Sequence, residues 1–277
     1  DASGTDADVT IDGGTTALII AASTIDGDLT LTSGHASGIT DSGTVTVGGN
    51  FAATTDANSG VINMGTMAVD GTFTLAPNST GAVTIVNDAG LNLAASTLGG
   101  TFSGTATTGN ITDSGALAIT GTTTLVTSAN DATIALDTTT NAFTGALTIT
   151  TNDASGTDAD VTIDGGTTAL NIGASTIDGD LTLTSGASAG ITDSGTVTVA
   201  GNLVATTDAN NGVIDLGTTT VTGTMDLTTN GSGNVTIDNA TTDIVLIASE
   251  IGGNLALTTG NASGITDTGT VTVGGNL

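Results

Sequence analysis

The stretch DSGTVTVGGNFAATTDANSGVINMGT, Asp41–Thr66, decides the fold, because it returns with few changes at Asp193–Thr218. The two copies lie 193 − 41 = 152 residues apart. The motif ITDSG or ITDTG recurs along the chain at nearly even intervals. Its aspartates are Asp41, Asp113, Asp193 and Asp267. The sequence is therefore an array of a long repeat of about 76 residues.

A shorter period of about 22 residues runs through each long repeat. Its marker is a glycine that stands two residues after one apolar residue and two residues before another. The preceding position is apolar in all eleven copies, and the following one in all but one, where Thr123 stands. This alternation of period two predicts strands on both sides of a corner. The predicted corner glycines are Gly27, Gly49, Gly71, Gly100, Gly121, Gly145, Gly179, Gly201, Gly223, Gly253 and Gly275.

One such short unit cannot bury its apolar face alone, but stacked copies turn each apolar position into a continuous ladder. We therefore predict an all-β fold, a parallel β-solenoid of about 12 rungs, with three rungs in each super-repeat. The pattern favours one continuous solenoid array over residues 1–277 and a segment of a longer chain. The alternative is a row of antiparallel β-sandwich modules, one per long repeat, but sandwiches have no reason to keep the shorter period.

Every third interval between corner glycines exceeds the usual length. The long intervals run from Gly71 to Gly100, from Gly145 to Gly179 and from Gly223 to Gly253. We interpret the excess as an insertion in every third rung. The inserted rungs are Phe73–Thr101, Leu147–Asp178 and Met225–Gly252. If the protein binds a ligand, its specificity is predicted to lie in these rungs.

The composition excludes several classes of function. The chain has 277 residues, with no Lys or Arg, 27 acidic residues, one His and no Cys. Without cationic side chains, nucleic acid and anionic lipid are not expected partners. The longest apolar run, which contains Leu18–Ala22, is too short to span a membrane. Four Phe and no Trp or Tyr predict a thin core of aliphatic side chains.

Aspartates are the candidates for a metal site. The segment GTDADVTIDGG and its copy each contain three closely spaced aspartates. These are Asp6, Asp8 and Asp12 in the first copy and Asp158, Asp160 and Asp164 in the second. Carboxylates at i and i+2 project from one side of an extended segment, and their oxygens suit Ca²⁺. Calcium is therefore the one candidate cofactor, although aspartate also favours turns. A turn is the prediction for the four ITD aspartates, since each stands at the same distance before a corner glycine.

The sequence contains no recognisable catalytic constellation, and we predict that the protein is not an enzyme. His35, its one imidazole, lies in the apparent loop TSGHASG, whose copy TSGASAG has no histidine. We expect His35 to be a solvent-facing loop residue. Paired carboxylates could act as acid and base in a solenoid groove. The side chains that usually hold a sugar are lacking, however, because the chain has no Trp, Tyr, Lys or Arg and only four Phe.

The segments GDLTLTS at Gly27, GNLVATT at Gly201 and GNLALTT at Gly253 resemble the β-strand repeats of large secreted bacterial surface proteins. Those proteins are filamentous haemagglutinin-like exoproteins, autotransporter passengers and giant repeat adhesins. The resemblance implies a right-handed β-helix that is secreted or anchored at the cell surface. It also implies a structural or adhesive role, with other copies of the chain as end-to-end or lateral partners and cell-surface or glycan ligands as further candidates.

Ice binding is a further alternative, because flat rows of outward threonines on a solenoid can order water. Five threonines share one outward column: Thr30, Thr74, Thr124, Thr148 and Thr182. The same column is interrupted by other residues: Ala52, Ser103, Val204, Asp226 and Ala256. These interruptions argue against a regular lattice that matches ice.

Overall fold

The computed structural model describes residues 7–152, 154 and 158–277. In these residues it contains 35 strands and no helix, and the paired strands are parallel. The chain divides into two compact units, Asp1–Ala129 and Asn130–Leu277. The units contain about 12 coils in all, with the short spacing of the sequence. The predicted fold, an all-β parallel solenoid, is thereby confirmed.

The strands are short, and most have three to five residues. In chain order they are β1 (Val9–Asp12), β2 (Leu18–Ile20), β3 (Ser23–Ile25), β4 (Leu29–Ser33), β5 (Ile39–Asp41), β6 (Val45–Val47), β7 (Phe51–Thr55), β8 (Ile62–Val69), β9 (Thr72–Ala76), β10 (Val83–Asn87), β11 (Leu91–Leu93), β12 (Ser96–Leu98), β13 (Phe102–Ala106), β14 (Ile111–Asp113), β15 (Leu117–Ile119), β16 (Thr123–Asn130), β17 (Ile134–Leu136), β18 (Ala142–Phe143), β19 (Leu147–Asn152), β20 (Val161–Asp164), β21 (Leu170–Ile172), β22 (Ser175–Ile177), β23 (Leu181–Ser185), β24 (Ile191–Asp193), β25 (Val197–Val199), β26 (Leu203–Thr207), β27 (Ile214–Leu216), β28 (Thr219–Val221), β29 (Met225–Thr229), β30 (Val235–Asp238), β31 (Ile244–Leu246), β32 (Ser249–Ile251), β33 (Leu255–Thr258), β34 (Ile265–Asp267) and β35 (Val271–Val273).

Most coils of the first unit have two kinds of side. The straight side is one strand of about five residues, such as β4 or β7. The bent side is a pair of three-residue strands separated by a bend, such as β5 and β6. Straight strands stack in register, so that Leu29 pairs with Phe51 and Phe51 with Phe73. Each of these steps equals the short period of the sequence.

The core of the first unit consists of ladders of equivalent side chains. Leu29, Phe51 and Phe73 form one ladder, and all three are buried. The two rings meet edge to face with their centroids 5.8 Å apart, an arrangement that aromatic pairs prefer. In the next ladder of the same strands, Ala53 stands between two leucines. A small side chain therefore accompanies a large one in the same coil, which suits a narrow interior.

The long repeat of the first unit contains three and a half coils rather than three. Ile39 pairs with Ile62, Ile62 with Val83, and Val83 with Phe102, which makes three complete coils. The next ITD motif begins at Ile111, only half a coil after Phe102, and it lies in the other sheet. The motif has therefore moved from one side of the coil to the other.

The second unit shows the same half-coil offset. Ile191, Ile214, Val235 and Leu255 pair in succession through three coils. Ile265 begins the next ITD motif half a coil after Leu255, again in the other sheet. One long repeat thus consists of four straight strands and three bent sides, and the next repeat begins with its sides exchanged.

The interpretation of long glycine intervals as insertions is wrong for two of the three rungs. In Phe73–Thr101, Phe73 pairs with Leu93, and in Met225–Gly252, Met225 pairs with Leu246. These steps are no longer than the step from Phe51 to Phe73. The interval appears long because two straight strands follow one another on different sides, and the second one was not recognised.

The third rung, Leu147–Asp178, does contain a longer step. Leu147 pairs with Ile172 and Thr150 pairs with Thr176, so each pairing spans more of the chain than the short period. The predicted insertion is therefore confirmed for this rung alone.

Where a bent side stacks on a straight strand, the bend leaves one N–H of the strand without a backbone acceptor. A serine hydroxyl takes that place. The backbone N–H of Leu75 donates a hydrogen bond to Ser96 Oγ at 3.0 Å, and that hydroxyl donates to the carbonyl of Ala94 at 2.9 Å. Ser175 and Ser249 make the equivalent bonds in the second unit. The hydroxyl replaces the backbone carbonyl that is missing at the bend, so the buried N–H keeps an acceptor.

An asparagine joins the coils where the straight strands β10 and β30 follow a bent side. Asn87 is fully buried. Its Oδ1 accepts from the N–H of Val69 at 2.9 Å, and its Nδ2 donates to the carbonyls of Val69 at 3.0 Å and Gly90 at 2.6 Å. Asn239 binds Val221 in the same way. A side-chain amide has the donor and acceptor of a peptide group, so it pairs with a strand as backbone would.

We expect the substitution Asn87→Ala to lower the free energy of unfolding by at least about 2 kcal/mol, because it leaves two buried backbone groups of Val69 unpaired. The measurement is urea denaturation followed by far-UV circular dichroism. The matched control is Asn63→Ala, which removes an exposed amide from the same unit and should change the free energy by less than about 0.5 kcal/mol. Equal losses in the two variants would contradict the role given to Asn87.

Candidate functional site

Three predicted corner glycines of the first unit, Gly27, Gly49 and Gly71, stack directly on one another. The N–H of Gly49 donates to the carbonyl of Gly27, and the N–H of Gly71 donates to that of Gly49, each at 3.0 Å. A Cβ added to Gly71 would lie 2.7 Å from the carbonyl carbon of Gly49. None of these three glycines has a positive φ. Glycine is therefore required here by the close approach of two coils rather than by an unusual backbone conformation.

A column of polar residues, the Asx ladder, follows the glycines of the first unit and consists of Asp8, Asp28, Asn50 and Thr72. The N–H of Asp28 donates to Asp8 Oδ1 at 2.8 Å, and that of Asn50 donates to Asp28 Oδ1 at 2.6 Å. The N–H and the hydroxyl of Thr72 both donate to Asn50 Oδ1 at 2.9 Å. Each side chain thus fixes the corner of the next coil.

The second unit contains the same ladder, formed by Asp160, Asp180, Asn202 and Thr224. Its successive N–H to Oδ1 distances are 2.8, 2.7 and 2.8 Å. The Nδ2 of Asn202 also donates to both carboxylate oxygens of Asp180, at 3.1 and 3.3 Å. Since the chain has no Lys or Arg, amide and backbone N–H groups are the donors that offset carboxylate charge in this ladder.

The ITD aspartate of the first unit ties two coils together at the bend. Asp41 is the last residue of β5 and is half-buried. Its Oδ1 accepts from the N–H of Gly65 at 2.9 Å, and its Oδ2 accepts from the N–H of Thr66 at 2.7 Å and from the Thr66 hydroxyl. Asp113 ends the equivalent strand β14 and is also half-buried. Both oxygens of Asp41 therefore serve contacts between coils.

The equivalent aspartate of the second unit, Asp193, lines a surface groove of about 460 Å³ on the bent side. It accepts from the N–H of Gly217 at 2.8 Å and from the Thr218 hydroxyl. The groove also contains the exposed carboxylate of Asp215. Asp215 pairs with Thr192, the residue before Asp193. A ligand in this groove would meet hydroxyl groups and carboxylate acceptors. Asp267 ends the corresponding strand β34 and is exposed.

Four of the six predicted calcium residues belong to two kinds of structural contact. Asp8 and Asp160 head the two Asx ladders, and Asp158 lies exposed two residues before Asp160. Asp6 lies outside the described residues. The remaining two form turns, because the Oδ1 atoms of Asp12 and Asp164 accept the N–H two residues ahead, each at 2.7 Å.

In residues 7–152, 154 and 158–277, no group of three or more His, Cys, Asp or Glu side chains is arranged to hold a metal ion. Calcium binding by the six aspartates stays a prediction. His35 is exposed in a turn, where its Nδ1 accepts from the N–H of Ser37 at 3.0 Å.

The outward column of the second unit places a carboxylate beside an apolar side chain. Thr182, Val204 and Asp226 pair in register on β23, β26 and β29, so the row of threonines is interrupted as the sequence indicates. Burial raises the pKa of Asp226 above the ordinary aspartate value. In the following coil Glu250 pairs with Thr228, so a second carboxylate lies on the same face.

The sequence did not lead us to the serines and asparagines that join straight and bent sides. A usable signal exists for the serines, because Ser96, Ser175 and Ser249 stand in the motif AST or ASE once per long repeat. Asn87 and Asn239 likewise end the related stretches VTIVN and VTIDN. Their partners Val69 and Val221 lie in the preceding coil.

We expect Gly223→Ala to lower the free energy of unfolding by about 1–3 kcal/mol, because a Cβ there would press on the backbone of the preceding coil. That Cβ would lie 2.7 Å from the carbonyl carbon of Gly201. The control is Gly217→Ala in the same unit, where a Cβ meets nothing within 4 Å, so stability should be unchanged or slightly higher. Thermal melting of both variants measures the difference, and similar melting curves would contradict the stacking constraint.

We expect Asp226→Asn to stabilise the chain at neutral pH. Because the folded pKa of Asp226 is raised, its ionised form opposes folding, and this cost is full above the folded pKa. The cost disappears as the pH falls below the unfolded value. The gain in melting temperature of Asp226→Asn should therefore vanish in acid. Asp208→Asn, which removes one charge from an exposed position, is the control, and an equal pH-dependent gain there would refute the explanation.

One comparison with known proteins finds a match for the chain. In the described residues no helix has the length and apolarity needed to cross a membrane. No curated protein and no solved structure matches the chain. A family model matches residues 6–70, 80–150, 158–210 and 232–277, and the starts of these segments follow the spacing of the long repeat. Because the matched segments cover most of its length, the chain belongs to the family described as Repeats of unknown function (DUF5649).

Proposed function

We propose that the chain is a structural protein of the cell exterior, the β-solenoid shaft of a surface filament or adhesin, without catalytic activity. The observation that carries the proposal is the use of its polar side chains. Asp28, Asp41, Asn87 and Ser96 each bind the backbone of a neighbouring coil. The residue types that would be expected to do chemistry thus hold coils together.

Composition supports the proposed location at the cell surface or outside the cell. The absence of Lys and Arg removes every cleavage site for trypsin-like proteases, which suits an exposed protein. A formal net charge of −27 keeps the surface hydrated and opposes nonspecific association. A repeat family and a solenoid fold together fit the style of large secreted surface proteins.

The proposed partner is another copy of the chain, joined end to end or laterally. A coil at the edge of a parallel stack presents unpaired backbone groups, which favours pairing with a further coil. The negative charge opposes lateral contact at low salt, and added cations screen it.

Calcium is the proposed cation that offsets the negative charge of the chain. Asp160 and Asp180 belong to adjacent coils, because Val161 pairs with Leu181. Two like charges one coil apart repel each other, and a divalent cation between them would relieve that repulsion. Calorimetric titration with Ca²⁺ should therefore show binding, and a chelator should lower the melting temperature.

The second candidate function is that of an adhesin module that binds a glycan, another cell-surface ligand or ice. The observation in its favour is the longer coil within Leu147–Asp178, where Leu147 pairs with Ile172 and Thr150 with Thr176. An extra segment on one coil is a common place for binding specificity on a solenoid.

Electron microscopy of the purified chain, with and without millimolar Ca²⁺, separates the two candidates. We expect uniform thin filaments, formed more readily as salt or Ca²⁺ is added because screening reduces the repulsion between chains. Shortening the Leu147–Asp178 coil to the usual length should leave the filaments intact. Isolated particles under all conditions, with glycan binding that is lost on this shortening, would favour the adhesin module instead.

A further inference from the structure

The sequence contains two Asn-Gly pairs, Asn211-Gly212 and Asn230-Gly231, and both lie in turns of the second unit. An asparagine followed by glycine can lose its side-chain amide without an enzyme, since glycine has no Cβ to shield its backbone nitrogen. Whether a folded protein permits the reaction depends on how the two reacting groups are held. The structure holds the two pairs differently.

The reacting groups of the first pair are restrained. Gly212 is buried, and its N–H donates to the carbonyl of Ala209 at 3.2 Å. The Oδ1 of Asn211 accepts from the N–H of Ser232 in the next turn at 3.0 Å. Both hydrogen bonds must break before the nitrogen of Gly212 can reach the side-chain carbon of Asn211. Such a local opening of the turn costs free energy.

The reacting groups of the second pair are exposed. Among the described residues, the N–H of Gly231 has no acceptor and the side chain of Asn230 has no hydrogen-bond partner. The surrounding backbone is nevertheless fixed, because the N–H of Asn230 donates to the carbonyl of Thr207 at 3.0 Å and its carbonyl accepts from the N–H of Gly233 at 3.2 Å. The turn can therefore remain formed while both reacting groups face solvent.

We propose that Asn230 is a site of spontaneous deamidation and that the fold protects Asn211. The nitrogen of Gly231 gives its proton to solvent and bonds to Cγ of Asn230. The bond from Cγ to Nδ2 breaks, and the amide takes up a proton and leaves as ammonia, so a cyclic succinimide remains. Water then opens the ring at either carbonyl and yields aspartate or isoaspartate. Water is the sole co-reactant, and no group is oxidised or reduced.

Either product changes the turn between β29 and β30. Each adds a carboxylate to a chain that has no Lys or Arg to balance it. Isoaspartate also routes the main chain through one additional carbon at Asn230, between the bonds to Thr207 and Gly233. We expect the stacking of this turn on the preceding one to weaken as the product accumulates. The modified fraction should increase with the time since the chain was made.

The test is incubation of the folded chain in mildly alkaline buffer, followed by thermolysin digestion and mass spectrometry. The peptide that contains Asn230 should gain the mass of amide-to-acid conversion several times faster than the peptide that contains Asn211. Protein isoaspartyl methyltransferase should label the same peptide. The variant Asn230→Gln should lose the fast conversion, since glutamine forms its cyclic imide much more slowly.

The same chain in denaturant is the matched control. There the two sites should convert at similar rates, because neither is held by the fold. Conversion at Asn211 that equals or exceeds conversion at Asn230 in the folded chain would overturn the proposal. So would an unreactive Asn230 in the folded chain, or an equally strong preference for Asn230 in denaturant.

Discussion

The structure depends on one interaction, the parallel backbone pairing of each residue with the equivalent residue one coil later. Adjacent strands in such pairing lie about 4.8 Å apart, so like residues must stack closely on like residues. Inside the coil this stacking places Phe51 between Leu29 and Phe73. At the corner it places Gly71 on Gly49, where a side chain would meet backbone. The composition follows from that constraint, because only small or regularly repeated side chains can be stacked at this distance.

The same pairing creates an electrostatic difficulty for a chain whose charged side chains are all acidic. Stacked carboxylates repel one another, and no Lys or Arg is present to separate them. The Asx ladders reduce the repulsion by their composition, since Asp180 is followed by the amide of Asn202 and then by a threonine. Backbone N–H groups, held in place by the fold, then act as the counter-charges. Where a carboxylate lies beside Val204, as Asp226 does, burial raises its pKa.

The sequence predicts the solenoid because both the period-two alternation and the fixed rung length can be read directly from the order of residue types. It does not predict which side of a coil a strand occupies, since straight strands on either side have the same alternating pattern. Gly81, two residues before β10, escaped the glycine pattern because Ser79 stands where an apolar residue was required. The bonds of Asp41 were equally invisible, because their partners Gly65 and Thr66 lie in the next coil. Aspartate, serine and asparagine in the turns could be noticed, but their partners become known only when the coils are stacked.

The odd number of half-coils in a long repeat bears on the proposed function. With three whole coils, every ITD motif would lie on one side, and the chain would present a single repeated face to a ligand. Three and a half coils instead place Asp41 and Asp113 in different sheets, and likewise Asp193 and Asp267. Acidic groups and grooves are thereby shared between two sides, which lowers the charge density on each. A one-faced binding module gains nothing from this arrangement, whereas a strongly charged structural element does, and this difference supports the structural proposal.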